Sequence, residues 1–284
     1  MLQKMSQKIG VFDSGVGGLT VLRQLYQQLP QESILYFADT ARLPYGNRSQ
    51  AEILQFVREI LTWMSAERVK MVIMACNTSS ALALETVRSE FDIPILGIIL
   101  PGARAAVNIG EKIGVIATPA TANSGAYSQA IQEIKPHATV LEVGCPPFVP
   151  LIEQNRVYHP HSHRVVKHYL QPLLAAEIDT LIYGCTHYRH LENVILDIIP
   201  PHIQLVDPAT YVVTAAMREL KMLGLKNYRI PEPTRFCVSG CPKQFAMLSK
   251  QWLGFTPRVE KISLPVIPVD SLARISRNIP TFGE

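Results

Sequence analysis

The chain has 284 residues, a length suited to two domains of ordinary size, and its 48% apolar and 18% charged residues form a globular rather than a disordered composition. The net charge of +4 is spread without basic blocks, which argues against a nucleic-acid-binding stripe, and no apolar run reaches the length of a membrane span. The start, Met1 to Lys8, lacks the apolar centre of a secretory signal, so a cytoplasmic protein is expected. Its five cysteines, Cys76, Cys145, Cys185, Cys237 and Cys241, are odd in number and mostly far apart, a pattern of free thiols rather than a disulfide framework.

Strand-like and helix-like segments alternate almost from end to end. Residues 9–13 form a short β-rich run followed by Ser14-Gly15-Val16-Gly17-Gly18, after which Leu19, Val21, Leu22 and Leu25 recur at helical spacing. Residues 34–38 repeat the strand pattern. Leu43-Pro44-Tyr45-Gly46-Asn47 reads as a turn able to offer the Tyr45 hydroxyl, and a helix-like stretch runs from 49 to about 66. Residues 69–75 are almost wholly apolar, as a strand covered on both faces should be. Residues 113–117, 139–143, 180–183, 204–206 and 236–238 continue the series. The alternation implies an α/β fold with mainly parallel sheets, and a strand-cysteine pattern repeated at 71–78 and 180–187 suggests two similar α/β domains. Pro94, Pro101 and Asp207-Pro208 are candidate crossings between the domains, and the tail from Leu264, with Pro265, Pro268 and Pro280, reads as an extended strap.

One long-range echo stands out. Residues 71–78 read M-V-I-M-A-C-N-T and residues 180–187 read T-L-I-Y-G-C-T-H, with the cysteines 185 − 76 = 109 positions apart. Each is an apolar strand, a small residue, a cysteine, then polar residues opening a helical pattern. Ligands gather at the carboxyl ends of parallel strands, and a helix N-terminus lowers a thiol's pKa. Cys76 and Cys185 are therefore candidate acid/bases, with Asn77, Thr78, Ser79 and Thr186 as donors able to hold a carboxylate. A single buried cysteine is ordinarily a packing residue; the same pattern twice favours chemistry.

Other features carry less. Gly15-Val16-Gly17-Gly18 fits neither a dinucleotide fingerprint nor a P-loop, and Asp13 before it suits a helix cap. His187, two residues after Cys185, is placed to pair with the thiol or a substrate group. The alternating His159, His161 and His163, and the C-V-S-G-C of 237–241, lack the companion ligands of a metal site, so no metal is expected.

The segments G-V-F-D-S-G-V-G-G-L-T-V-L (10–22), F-A-D-T-A-R-L-P-Y-G (37–46), A-C-N-T-S-S-A (75–81) and G-C-T-H-Y (184–188) resemble the glutamate racemases of the aspartate/glutamate racemase superfamily, as do 113–121 and 146–153. The resemblance implies two α/β domains, 1–98 with 209–284 returning to it and 99–208, and an active site in the cleft between them. It implies interconversion of L- and D-glutamate without pyridoxal phosphate or metal, supplying D-glutamate for peptidoglycan, with Cys76 and Cys185 as the two catalytic acid/bases. Asp13 and His187 would assist proton transfer and, together with Ser14, Tyr45, Gly46, Asn77, Thr78, Thr121 and Thr186, would hold the substrate, with Glu153 nearby. The partner expected is the small-molecule substrate, with no nucleic acid and no membrane, and the chain is expected to form a homodimer. Arg189, Leu100 and Cys241 depart from the family's usual proline, acidic residue and aspartate, none at a catalytic position. A racemase of aspartate, a single-cysteine hydrolase and a sensor for an acidic amino acid remain as alternatives.

Overall fold

A computed structural model describes residues 7–267. In chain order its elements are β1 (Ile9–Asp13), α1 (Leu19–Gln28), β2 (Ile34–Ala38), a 3-10 turn (Tyr45–Asn47), α2 (Gln50–Ala66), β3 (Met71–Met74), α3 (Asn77–Val87), β4 (Ile95–Gly97) and α4 (Ile99–Val107). There follow β5 (Lys112–Ala117), α5 (Pro119–Ser124), α6 (Ala126–Ile134), β6 (Thr139–Gly144), α7 (Phe148–Glu153), α8 (Pro160–Ala175), β7 (Thr180–Gly184) and a second 3-10 turn (Thr186–Leu191). The last are α9 (Glu192–Leu196), β8 (Gln204–Val206), α10 (Pro208–Met222), β9 (Arg235–Val238), α11 (Pro242–Leu253) and β10 (Val259–Lys261).

The strands form two parallel sheets, one of six in the order β10-β9-β2-β1-β3-β4 and one of four in the order β6-β5-β7-β8. The first four strands of each sheet in sequence are arranged alike: β2-β1-β3-β4 corresponds to β6-β5-β7-β8. Cys76 follows β3 and Cys185 follows β7, so the echo in sequence is an echo in topology. Both cysteines leave the carboxyl end of the strand beside their sheet's first strand.

Local chemistry sets the helix starts. Ser49 and Glu52 form a reciprocal capping box at the head of α2, which buries Ile53, Val57, Ile60, Leu61 and Met64 along one face. Thr118 caps α5, with Pro119 in the first turn, and Asp207 caps α10 ahead of Pro208. Three apolar clusters result. One lies under α2 and α3 and includes Phe12, Val57 and Val72; another includes Phe148, Leu170, Tyr183 and Tyr188. The largest joins the sheets through residues such as Ile9, Leu22, Ala103, Ile113 and Val213. Full burial of such side chains contributes roughly 1.5–3 kcal/mol each, and this cluster draws them from both halves.

Several expectations need adjusting. The strand expected over 69–75 is confined to Met71–Met74. The three-residue strands β4 and β10 carry too few residues for a periodic signal. Pro101 lies inside the first turn of α4, where a proline lacks no helical hydrogen bond, on the connection from β4 of one sheet to β5 of the other. Of the expected strap, 264–267 is irregular and the rest, with Pro268 and Pro280, lies outside the described residues. Among the described residues no helix is long and apolar enough to cross a membrane.

Candidate active site

The carboxyl ends of β1, β3, β5 and β7 converge on one cleft, partly open to solvent. Cys76, Asn77 and Thr78 from the start of α3 and Cys185, Thr186 and His187 from the turn after β7 line it. Ser14, Tyr45 and Gly46 add a third wall. The glycine-rich loop after β1 is explained by this convergence. A Cβ on Gly17 would lie 2.4 Å from both His187 Nδ1 and Thr186 Oγ1, so only glycine lets the two sheets' loops meet. Gly46 likewise passes against Thr118, 2.7 Å from where its Cβ would stand.

Cys185 Sγ lies 3.8 Å from His187 Nδ1, and His187 Nε2 lies 2.8 Å from Glu153 Oε1. Burial works against the imidazolium, but the bonds to Cys185 and Glu153 outweigh it and hold His187 well above the usual histidine value. Asp13 is fully buried behind the cleft wall and does not line the cleft. Its Oδ1 accepts from the Gly15 N–H at 2.8 Å and its Oδ2 from the Thr186 hydroxyl at 3.1 Å. Burial pushes its carboxyl up, against the opposing pull of His187 and the two donors.

Cys76 corrects one expectation. The helix N-terminus was expected to lower its pKa; instead burial, with the neighbouring Asp13 charge adding to it, pushes the thiol up to about 12. The Ser79 hydroxyl and N–H favour the thiolate but do not prevail. The second cysteine departs from expectation too, since the segment after it is a 3-10 turn, and an α-helix begins only at Glu192.

Thr78, Thr118 and Thr121 form a closed set of hydroxyl contacts of 3.0, 3.2 and 2.9 Å, bridging the head of α3 and the head of α5. Thr118, not Thr121, faces the cleft; Thr121 supports it from behind. Asn77 is 2% exposed and its Oδ1 accepts from the Tyr127 hydroxyl at 2.7 Å. The Tyr45 hydroxyl is not free for a substrate: it donates to the buried Asp39 carboxylate, which also holds Arg42 and Ser239. Tyr45 therefore presents its ring and backbone. Sequence reading missed Thr118, Cys145 and Val149 in the cleft wall and Tyr127 behind it. The Thr118-Pro119 and Cys145-Pro146 pairs at strand ends were the available signals. Tyr127 had none, because its contact lies 50 positions away. Among the described residues no group of three or more His, Cys, Asp or Glu side chains is arranged to hold a metal ion.

Two parallel α/β units, with a cysteine and polar side chains at corresponding strand ends of each opening onto one cleft, have the architecture of a racemase. The chain belongs to the Asp/Glu/Hydantoin racemase family, whose model matches residues 9–216. It is similar to the glutamate racemase of Synechocystis sp., with 68% identity over 267 residues covering 94% of this chain and 96% of that one. Among solved structures it is similar to a glutamate racemase isoform of Bacillus anthracis (36% identity, TM-score 0.89, 92% and 99% covered). It is also similar to the Francisella tularensis glutamate racemase solved with D-glutamate (35% identity, TM-score 0.85, 94% and 99% covered).

Proposed function

We propose that the chain interconverts L- and D-glutamate with Cys76 and Cys185 as opposed acid/bases, without pyridoxal phosphate or a metal ion, and so supplies D-glutamate for peptidoglycan. The observation that carries this is the pair of cysteines on corresponding strands opening onto one cleft. One thiolate takes the α-proton and becomes a thiol; the opposite thiol gives its proton to the other face of the α-carbon and becomes a thiolate. Each matched acid/base contributes roughly 10²–10⁴-fold. Cys185 has His187 beside it as an imidazolium partner. Cys76 has Asp13, whose charge disfavours the thiolate until a substrate ammonium group offsets it. Thr78, Thr118, Ser14, Gly46, the Thr186 backbone N–H and the Asn77 amide are the groups we assign to the substrate carboxylates, with Thr121 in support.

Glutamate rather than aspartate is favoured by the names of the relatives, and a bound D-glutamate is described for the Francisella protein. We place the domain limits at 1–98 with 209–284, and 99–208; α10 packs on α1 of one and α4 of the other. We further propose a cytoplasmic homodimer. The decisive experiment follows circular dichroism decay of L-glutamate and of L-aspartate with protein dialysed against chelator and free of pyridoxal phosphate. Glutamate racemisation under these conditions is expected. Activity only after adding a metal or pyridoxal phosphate, or equal turnover of aspartate, would overturn the assignment.

A further inference from the structure

The direction of the Asn77 amide is set by a residue distant along the chain. Its Nδ2 is buried and has no hydrogen-bond partner among the described residues, while its Oδ1 accepts from Tyr127. An amide can turn over, exchanging a donor for an acceptor at the cleft, so what prevents this decides what the cleft binds. Tyr127 is fully buried at the start of α6, on the side of the second sheet, and Asn77 opens α3 beside the first. Tyr127 makes no other side-chain hydrogen bond among the described residues. Its proton has one place to go, and that is an oxygen. Were Asn77 reversed, its Nδ2 would face the phenol and the buried phenolic proton would be left unplaced, while Oδ1 would confront an incoming carboxylate. Burial also holds the phenol well above its usual pKa, so it remains a donor.

We propose that Tyr127 is a positioning residue that fixes the Asn77 amide with its N–H groups toward the cleft, so that the site accepts a carboxylate. The backbone supports this placement: Glu142 Oε1 accepts from the N–H of Ser128 at 2.8 Å and from its hydroxyl at 2.7 Å, anchoring the turn that carries Tyr127. Because the bond spans the two sheets' helices, the oriented amide exists only with the halves together, alongside the Thr78–Thr118 contact.

The inference rests on the reading that Asn77 meets a substrate carboxylate. A double-mutant cycle separates the two. Tyr127→Phe removes one oxygen and is expected to raise KM for glutamate about three- to tenfold, with a smaller change in kcat. Asn77→Ala should raise KM at least as much, and adding Tyr127→Phe to it should change KM less than about twofold, since the phenol acts through the amide. Equal effects of Tyr127→Phe in both backgrounds, or a wild-type KM in folded Tyr127→Phe, would overturn the positioning role alone. A wild-type KM in Asn77→Ala would overturn the carboxylate reading and the inference with it. Asn77→Asp guards against a folding defect. It keeps an oxygen for Tyr127 but turns the cleft donor into an acceptor, so it should melt like the wild type and bind glutamate more weakly than Asn77→Ala. Tighter binding by Asn77→Asp than by Asn77→Ala would refute the proposal.

Discussion

The Thr186 hydroxyl donates to Asp13 Oδ2 at 3.1 Å, from the turn after β7 to the end of β1. One carboxylate thereby joins the loops that carry the two halves of the cleft. The same charge faces Cys76 and is second only to burial in pushing that thiol up to about 12. Asp13 therefore disfavours the Cys76 thiolate, and a cation placed beside it would offset that effect.

Asp13→Asn should separate thiol reactivity from catalysis. The amide oxygen can still accept from Gly15, so the loop should hold, but the negative charge is gone. Cys76 ionises more easily, and its alkylation by iodoacetamide should begin at lower pH than in the wild type. Racemisation should nevertheless fall, by roughly 10²-fold or more, because the proton transfer loses its assisting group. Measuring labelling rate against pH beside kcat checks both halves. Slower Cys76 labelling in the variant would show that the Asp13 charge is not what restrains the thiol.

Glu153→Gln tests the bond to His187 through stability. His187 titrates higher in the folded chain than its ordinary value of about 6.5, so its bound proton stabilises the fold. That contribution is complete below the unfolded value and is lost as pH rises through the folded one. Removing the Glu153 charge removes part of it, worth about 1–2 kcal/mol for a hydrogen bond between charged groups. Denaturant melts should therefore show the widest gap between wild type and variant near about pH 6, narrowing toward alkaline pH. A gap that widens with pH would contradict the charged pairing.

The alternation of elements and the two cysteines were legible because strands buried on both faces read as apolar runs, and because Cys76 and Cys185 each end such a run. What the sequence hides is set by contacts distant along the chain. Glu153 reaches His187 over 34 positions, and Asp39 reaches Ser239 over 200. The thiol of Cys76 was misjudged for the same reason. Its helix start is local and visible, but the burial and the Asp13 charge that outweigh it are tertiary.

Tyr45→Phe distinguishes a structural phenol from a substrate ligand. The hydroxyl is buried against Asp39, in a network with Arg42 and Ser239. Losing it should cost about 2 kcal/mol of stability, the scale of a hydrogen bond to a charged group. KM for glutamate should stay within about threefold of wild type, because Tyr45 meets the cleft through ring and backbone. A tenfold rise in KM with unchanged melting would assign the hydroxyl to the substrate instead.

The strongest test sets the two thiols against each other. If they face opposite sides of one α-carbon, each serves as base in one direction and acid in the other. Serine in place of either leaves a hydroxyl whose pKa is far too high for that exchange, so Cys76→Ser and Cys185→Ser should each lose racemisation by roughly 10²–10⁴-fold. Both should keep their fold and bind glutamate, since the Thr78, Thr118 and Asn77 donors are untouched. Elimination from a β-substituted analogue needs only one base on the correct face: it breaks the α-C–H bond, gives that proton to the thiolate and expels the β-substituent. Each variant should therefore eliminate from one enantiomer and not the other, and the two variants should have opposite preferences. The asymmetry of the site adds a second expectation. Cys76 is pushed up to about 12, so elimination by the variant that retains it should fall off steadily as pH is lowered from the alkaline range. Near-normal racemisation in either variant would reduce one cysteine to a packing residue and end the two-base mechanism.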